Sequence, residues 1–535
     1  MSNFRIENFT DSEKTVLSNY FTNYDKPVFG LINMPEVVKG ALFARYSRSE
    51  KSLRRLFLDE FYKDGLVSNV SDNNNNYGEG KASELYDRMF IQYGDDSVAQ
   101  LGGAHIACEQ VSNILTKFIE KGRLNAYLEQ STRYVYYNKK YDGKYNYLVP
   151  DEFRNCELEE LFCKRMDNLF DVYTKVIDVT TPDLERKYPK QEDVTTRAWK
   201  STIRAKACDI ARGLLPASTR TNLGIYANGQ SYEYMLVRMY ASDIKEIKTY
   251  ADMILNELRK MIPSFMKRVD LSDRGIQWSE YLHKNNVDIY EYCQKFNFQA
   301  EKLNNDYDVK LYSVTEKALN KVIFSILYDN TSLNTEKIHL IIDEMSEVEK
   351  TNILKLYSGD RKNRRHKGGR ALESVKYGFD IVSDYGAFRD IQRHRMLTIE
   401  WQKINPYMGF VVPEELNEFP ELKVKFVAAL EDIIDLYESV FEKFGDEVAQ
   451  YCVPFAYKMR YRIEMSLREA IYLIELRTQK QGHPSYRRVC LAMRDSIRDY
   501  GHSYFTDIMN FVDEEFYIFS REDAEKNIDK KLGNS

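Results

Sequence analysis

The sequence has no long apolar run and no excess of positive charge. Its 535 residues are 43% hydrophobic and 30% charged, with a formal net charge of -5. Because a membrane-spanning helix needs about 18 or more apolar residues in a row, no membrane partner is expected. The acidic balance also gives no support to bulk attraction to nucleic acid, although a local basic patch can still bind a small anion.

Paired cysteines and a secretion signal are also lacking. The seven cysteines are scattered, and none forms a C-x-x-C pair of the kind that binds zinc or carries out redox chemistry. An odd, dispersed set is typical of a reducing compartment. The start, MSNFRIENFTDSEKT, has no basic segment followed by an apolar run, so no signal peptide is expected. We therefore predict a cytoplasmic location and no metal site.

The chain is longer than a single core usually supports, and its patterns recur in the same order. The spacing of apolar residues predicts amphipathic helices over 243–262 and 486–500. We also interpret 97–123 and 370–395 as long helices that end in basic residues. Further matching pairs are 28–44 with 309–325, Leu215-Pro216 with Val453-Pro454, and the polar helices that carry VRM (237–239) and ELR (475–477). A period this long indicates a domain duplication rather than a solenoid.

The overall pattern is rich in helices with short strands, which predicts an α+β fold. We predict a first copy over residues 1–265, a linker over 266–306 and a second copy over 307–535. The polar tract SDNNNNYGEG (71–80) is typical of a surface loop.

A basic tripeptide, Arg393-His394-Arg395, stands out within FRDIQRHRMLTIEW. One interpretation is a solvated helix end, where cations interact favourably with the helix dipole. The other is an anion site, because guanidinium groups pair bidentately with phosphate. The tripeptide alone leaves both open.

A polar run in the first copy offers a second candidate anion site. Small polar residues followed by an arginine can surround a phosphate with backbone N–H, hydroxyl and guanidinium donors. The alternative is a turn before a strand YVYYN. The run is Glu129-Gln130-Ser131-Thr132-Arg133-Tyr134.

Three arginines, Arg212, Arg238 and Arg477, lie in mostly apolar surroundings. A buried guanidinium is costly unless it is paired, so each is explained either by a structural ion pair or by a ligand.

Together these motifs resemble the flavin-dependent thymidylate synthase (ThyX) family. That family's fingerprint is R-H-R, then S-x-R with an aromatic residue, an arginine before L-P, and an L-R ahead of a final helix. The first copy keeps Ser131, Arg133 and Arg212, whereas the second keeps Arg393-His394-Arg395 and Arg477.

The lost positions are complementary. In the first copy the R-H-R position reads Lys121-Gly122-Arg123, and in the second the S-x-R and pre-L-P residues are Lys403, Asn405 and Gln450. The resemblance implies a dUMP site across an interface, with R-H-R and L-R on one side and the other two motifs opposite. A fused pair of domains, each a small mostly antiparallel sheet with long packed helices, can therefore keep one complete site.

The resemblance implies reductive methylation of dUMP to dTMP. Methylenetetrahydrofolate gives the carbon, reduced FAD gives the hydride, and NADPH reduces the flavin again. No cysteine lies in the P-C-Q setting of the classical enzyme. The implied partners are dUMP and folate, and the implied assembly is a homodimer that forms a pseudo-tetramer.

The resemblance also assigns roles to individual residues. Arg477 is the catalytic residue that faces the uracil. The dUMP-binding set is Glu129, Gln130, Ser131, Thr132, Arg133, Arg212, Arg393 and Arg477. The FAD-binding set is Glu129, Glu373, Arg393, His394, Arg395 and Arg468.

Several positions depart from the family pattern. The usual upstream histidine falls near Asp95, and the glutamine three residues before R-H-R is Asp390. The usual A-Q-x-E-I-R reads GHPSYR (482–487) and keeps only Arg487. These departures motivate one alternative, a non-catalytic ThyX-like protein that binds flavin or nucleotide.

The basic run RKNRRHKGGR (361–370) is either a solvated loop or a contact to the flavin pyrophosphate through Gly368 and Gly369. With the 40 tyrosines it also motivates a second alternative, an RNA-binding protein. No RNP, KH or zinc pattern accompanies the run.

Overall fold

A computed structural model of the chain describes residues 7–46, 49–62, 100–296, 302–519 and 521–532. The chain forms two compact units. The first unit comprises residues up to 109, 124–129 and 222–297, and the second unit comprises 110–123, 130–221 and the residues from 298 onward. The predicted boundaries of the two copies stay a prediction, because compactness in space does not delimit a sequence repeat.

Two small sheets have the same core topology. Strands β1 (Gly103–Ser112), β2 (Ala126–Glu129) and β3 (Arg220–Asn228) form one sheet in the order β1-β3-β2. Strands β4 (Asp308–Val314), β5 (Lys376–Asp384), β6 (Leu397–Trp401) and β7 (Lys458–Ser466) form the other in the order β4-β5-β7-β6, with every pairing antiparallel. The order β5-β7-β6 repeats β1-β3-β2, as the predicted duplication requires.

Helices make up most of the remaining described chain, which confirms the predicted α+β class. The predicted amphipathic helices are present as Lys245–Met261 and Pro484–Asp499. The others are Asp11–Tyr20, Glu36–Tyr46, Leu53–Leu56 (continued as a π-helix over Phe57–Tyr62), Asn113–Ile119, Glu157–Lys187, Thr196–Ala211, Gly229–Tyr240, Gly275–Cys293, Ala318–Asn330, Thr335–Glu344, Glu347–Ser358, Tyr385–Ile391, Pro420–Glu431, Ile433–Ala449, Leu467–Arg477, Ser503–Thr506 and Glu522–Leu532. Within the described ranges, no helix is long and apolar enough to cross a membrane.

The prediction of long helices over 97–123 and 370–395 was wrong in the same way in both copies. Each segment is a strand, β1 or β5, followed by a helix of seven residues. The Ser112 side chain accepts the N–H of Leu115, and the Asp384 side chain accepts the N–H of Ala387. These N-caps start the short helices at the point where the extended backbone ends.

Three further corrections concern strands and the linker. Strands β3 and β7 lie between the X-Pro pairs and the helices that carry VRM and ELR. The segment YVYYN forms no strand, and the strand in that region, β2, ends at Glu129, the first residue of the polar run. The predicted linker contains the helix Gly275–Cys293. The tract 71–80 and Asp95 lie outside the described residues.

Candidate active site

Equivalent turns of the two copies meet inside the second unit. Short 3-10 turns begin at Arg212 and at Gln450, each four residues before the proline of the X-Pro pair. Pro216 and Pro454 form a β-bridge, flanked by Ala217 N–H to the Val453 carbonyl and Phe455 N–H to the Leu215 carbonyl, both 2.9 Å. Such reciprocal bonding is what a two-fold interface produces. The chain therefore contains an internal pseudo-two-fold contact.

The loop after β2 presents Arg133 to both copies. The backbone N–H of Arg133 donates to the Ser131 hydroxyl at 3.2 Å, which fixes the turn. The Arg133 guanidinium donates bidentately to Asp209 at 2.6 and 2.7 Å, and its Nη1 donates to the Gln481 carbonyl at 3.1 Å. Burial raises the pKa of Asp209, but the adjacent Arg133 outweighs it and brings the pKa to about 2. This loop is therefore held by an ionised, buried pair.

Asp390 lies between arginines from both copies. Its carboxylate oxygens are each 3.7 Å from a guanidinium nitrogen, one of Arg212 and one of Arg477. Although burial opposes ionisation, the positive charges of Arg393, Arg477, Arg212 and Arg133 together lower the pKa of Asp390. At 3.7 Å these contacts are ion pairs and not hydrogen bonds. The carboxylate thus balances the arginines without saturating their donors.

Arg212 retains an unsatisfied donor. The residue is 4% exposed, and its Nη2 has no hydrogen-bond partner among the described residues. Leaving a buried charged donor unpaired costs about 1–3 kcal/mol or more. Such a donor is expected where a ligand, and not the protein, supplies the acceptor.

His394 connects Glu469 to Arg477. Arg477 Nε lies 3.0 Å from His394 Nε2, and His394 Nδ1 lies 2.9 Å from Glu469. Since an arginine N–H can only donate, Nε2 must accept, and the ring proton is on Nδ1 and donates to Glu469. Burial lowers the pKa of His394, which favours this neutral form. The chain Glu469–His394–Arg477 fixes the orientation of the Arg477 guanidinium.

A cavity of about 210 Å³ adjoins this chain. Its lining includes His394 and Arg395 together with Lys121 and Arg123, the residues at the altered R-H-R position of the first copy. Arg123 Nη2 donates to the Thr398 hydroxyl at 3.0 Å. Lys121, Arg123 and Arg395 outnumber the two acidic lining residues, Glu120 and Glu400, and this excess of positive charge favours an anionic group in the cavity.

Glu373 and Arg468 lie together beside the basic run. Arg468 donates to Glu373 at 2.8 Å and to the Gly368 carbonyl at 2.8 Å, so it fastens the run to the helix Leu467–Arg477. The first residue of the run, Arg361, donates bidentately to Glu475 at 2.8 and 2.5 Å and is largely buried. The run is therefore in part a structural ion pair and not only a solvated loop.

The chain matches one protein family twice along its length. A family model described as "Thymidylate synthase complementing protein" matches residues 41–264 and again 311–500. The chain belongs to this family. The double match confirms both the ThyX resemblance and the tandem arrangement.

Two full-length relatives carry no activity in their names. A UPF0159 protein of Chlamydia muridarum is 35% identical over 511 residues, covering 94% of this chain and 96% of that protein. A UPF0159 protein of Thermoplasma acidophilum is 31% identical, covering 92% and 99%. A flavin-dependent thymidylate synthase of Clostridium tetani is 27% identical over 181 residues, covering 34% of this chain and 67% of that enzyme.

Not every residue assigned from the ThyX pattern lies in this cluster. Gln130, Ser131, Thr132, Arg133, Arg212, Arg393, His394, Arg395 and Arg477 belong to the second unit, as do Glu373 and Arg468. Glu129, the last residue of β2, belongs to the first unit, as does Arg238. Arg393 and Arg395 are exposed, whereas His394 is buried.

Four members of the cluster were missed by reasoning from sequence, namely Asp209, Glu469, His483 and Tyr486. Burial lowers the pKa of His483, with a further contribution from Arg212. His483 caps the helix Pro484–Asp499, and the His-Pro step was the available signal of that helix start. Arg487, which the ThyX pattern retains, is structural here, because it donates to the carbonyls of Thr478, Asp513 and Glu515.

Across the ranges that the structure describes, no group of three or more His, Cys, Asp or Glu side chains is arranged to hold a metal ion.

Proposed function

We propose that the chain is a flavin-dependent thymidylate synthase with one composite site in its second unit. It converts dUMP to dTMP with methylenetetrahydrofolate, FAD and NADPH. One observation carries the proposal. Arg212 and the Ser131–Arg133 loop of the first copy share a compact unit with Arg477 of the second copy, and Asp390 faces Arg212 and Arg477.

The donors suit a nucleotide phosphate. The unsatisfied Nη2 of Arg212 is a buried charged donor, and charge-assisted bonds from arginine to phosphate are among the stronger ones in proteins. Arg133 and the Ser131 hydroxyl lie on the loop beside it, which Asp209 holds rigid. We assign these residues, with Gln130, Thr132 and Arg393, to dUMP.

The cavity beside His394 suits the phosphate part of FAD, because Lys121, Arg123 and Arg395 line it. We assign His394, Arg395, Arg393, Glu373 and Arg468 to the cofactor. Bound FAD supplies the hydride chemistry of the reaction. We propose that the chain forms a homodimer in which a second chain completes the cofactor site.

Arg477 is the residue that activates the substrate. Its guanidinium is oriented by the neutral His394, and a fixed positive charge beside the uracil favours ionisation at N3 and so raises the reactivity of C5. No enzymic nucleophile is needed. Burial raises the pKa of Cys208 and of Cys490 to about 12, so neither thiol is ionised near neutral pH.

Anaerobic spectroscopy of the purified full chain tests the proposal. We expect a flavin absorbance that NADPH bleaches and that returns, with dTMP formed, when dUMP and methylenetetrahydrofolate are added together. Flavin that NADPH bleaches but that stays bleached after this addition, with no dTMP formed, would contradict the assignment.

That second result would favour a non-catalytic protein that binds flavin or nucleotide. Asp390 is the specific reason to keep this candidate, because its charge compensates the arginines that a nucleotide phosphate would otherwise engage.

A further inference from the structure

The chain continues beyond the family match, which ends at residue 500. The described part of this C-terminal segment ends in the helix Glu522–Leu532. Any residue that this segment adds to the site therefore lies beyond the region that the family model matches.

Two sets of hydrogen bonds hold the C-terminal segment in place within the second unit. Arg197 donates to Asp529 at 2.5 Å and to Glu525 at 3.1 Å, which joins the final helix to the helix Thr196–Ala211. Upstream, the Arg487 guanidinium donates to the carbonyls of Asp513 and Glu515 at 3.0 and 2.6 Å. The segment thus runs from a second-copy helix to a first-copy helix.

Between these anchors, Arg521 lies on the loop that carries Arg133. Its guanidinium carbon is 3.9 Å from the ring centroid of Tyr134, the aromatic residue of the S-x-R-Y motif. Arginine stacks well on aromatic faces, and stacking leaves the edge of the guanidinium able to donate.

Two nitrogens at that edge of the Arg521 guanidinium have no acceptor among the described residues. Nε and Nη1 of Arg521 are buried and have no hydrogen-bond partner in the described part of the chain. The acid whose charge acts on Arg521, Glu525, already accepts a hydrogen bond from Arg197. Burial, together with the charge of Arg133, lowers the pKa of Arg521 to about 10. A buried guanidinium beside a second one is costly unless an anion lies between them.

We propose that Arg521 binds the 5′-phosphate of the nucleotide substrate, and that the C-terminal segment supplies it to the Ser131–Tyr134 loop. This inference rests on the proposed function. It adds a phosphate contact that comes from outside the shared family region.

Equilibrium binding of dUMP and of deoxyuridine to the full chain tests the inference. We expect Arg521→Gln to weaken dUMP binding about tenfold or more and to leave deoxyuridine binding unchanged, because only dUMP carries the phosphate. Lys526→Gln is the matched control, since Lys526 is a cation on the helix Glu522–Leu532 that follows Arg521, and it pairs with Asp193 and Glu522. The control should bind dUMP as the wild type does.

The outcomes separate the inference from the proposed function. A wild-type chain that binds no dUMP contradicts both. A wild-type chain that binds dUMP no better than Arg521→Gln does, or an equal loss for dUMP and deoxyuridine, overturns only the role of Arg521.

Flavin content distinguishes the nucleotide phosphate from the cofactor pyrophosphate. It should be unchanged in Arg521→Gln, and a loss of flavin with normal dUMP binding overturns the assignment. If Arg521→Gln does not fold, Arg521→Lys takes its place. Lysine keeps the positive charge but lacks the paired N–H donors of a guanidinium, so this variant should bind dUMP several-fold more weakly than the wild type.

Discussion

The two copies differ in the hydrogen bonding of the side chain that begins the same backbone turn. In the second copy Gln450 is satisfied, because its Oε1 accepts the N–H of Ile404 at 3.2 Å and its Nε2 donates to the Glu447 carbonyl at 3.3 Å. In the first copy Arg212 takes the equivalent position and keeps a buried nitrogen without a partner among the described residues. The protein's own groups satisfy the side chain at the second-copy turn, whereas the Arg212 side chain at the equivalent first-copy turn keeps an open donor.

The ion pairs in the neighbouring loops also differ between the copies, and the first-copy pair is the more buried. Arg133 and Asp209 form a buried bidentate pair, with both side chains 10% exposed. In the second copy Lys403 pairs with Asp446 and Glu447 at 2.8 and 3.0 Å, and these groups are considerably more exposed. Asp209 and Glu447 each lie three residues before the turn, so the partner position is retained while its use has changed.

The largest expected effect comes from giving the first copy the residue of the second. Arg212→Gln removes the charged donor that we assign to the nucleotide phosphate, so kcat/KM for dTMP formation should fall about 100-fold or more. Gln450→Ala is the matched control at the equivalent turn and should keep activity within about twofold. Similar losses in both variants would break the comparison, because both turns would then serve catalysis or only stability.

The substitution Asp390→Asn tests whether the Asp390 carboxylate supplies the counter-charge that a bound anion would otherwise supply. Without that carboxylate, Arg212 and Arg477 lose their shared counter-charge, so the ligand-free variant should be about 1–3 kcal/mol less stable to urea. Because dUMP would restore an anion to the cluster, its addition should stabilise the variant more than the wild type.

Asp380→Asn provides the control for that experiment. Asp380 pairs with Arg460 at 2.5 Å on the second sheet, away from the arginine cluster. Its stability should not depend on dUMP beyond the wild-type response. If Asp390→Asn behaves like this control, Asp390 is an ordinary structural acid.

The repeat and the division of the motif between the copies could be predicted from the sequence alone, because both depend on residue identity and spacing. The same spacing failed for 97–123 and 370–395, where a strand and a short helix each contribute apolar residues. What separates them is a local cap, Ser112 or Asp384, and not periodicity. Local capping signals therefore deserve more weight than a long apolar pattern in such segments.

The centre of the site was beyond sequence reasoning for a different reason. Asp390 was noted only as a departure from the ThyX pattern, yet it faces arginines that are far from it in sequence, at 212 and 477. The same holds for Asp209, whose partner Arg133 comes from the loop after β2. Pairings of this kind depend on tertiary contacts between residues that are distant in sequence, within one copy or between the two, and no short motif encodes them.

The smallest expected effect compares the two acidic partners, Asp209 and Glu447, directly. The pKa of Asp209 is depressed from 3.8 to about 2 in the folded state. Its contribution to stability is therefore fully present above the unfolded value and is lost as the pH falls through the folded value. That depression corresponds to about 2 kcal/mol at neutral pH. Urea unfolding of the wild type and Asp209→Asn should differ by this amount at pH 7, and the difference should shrink between pH 5 and pH 2.

Glu447→Gln is the counterpart in the second copy. Because Glu447 is 46% exposed and its partner Lys403 keeps Asp446, the substitution should cost no more than about 1 kcal/mol. The contrast depends on burial, since solvent screens the Lys403 pair but not the bidentate Arg133 pair. If the two substitutions cost the same at pH 7, the first-copy loop is held no more rigidly than its altered equivalent, and rigidity is not what distinguishes the retained half of the site.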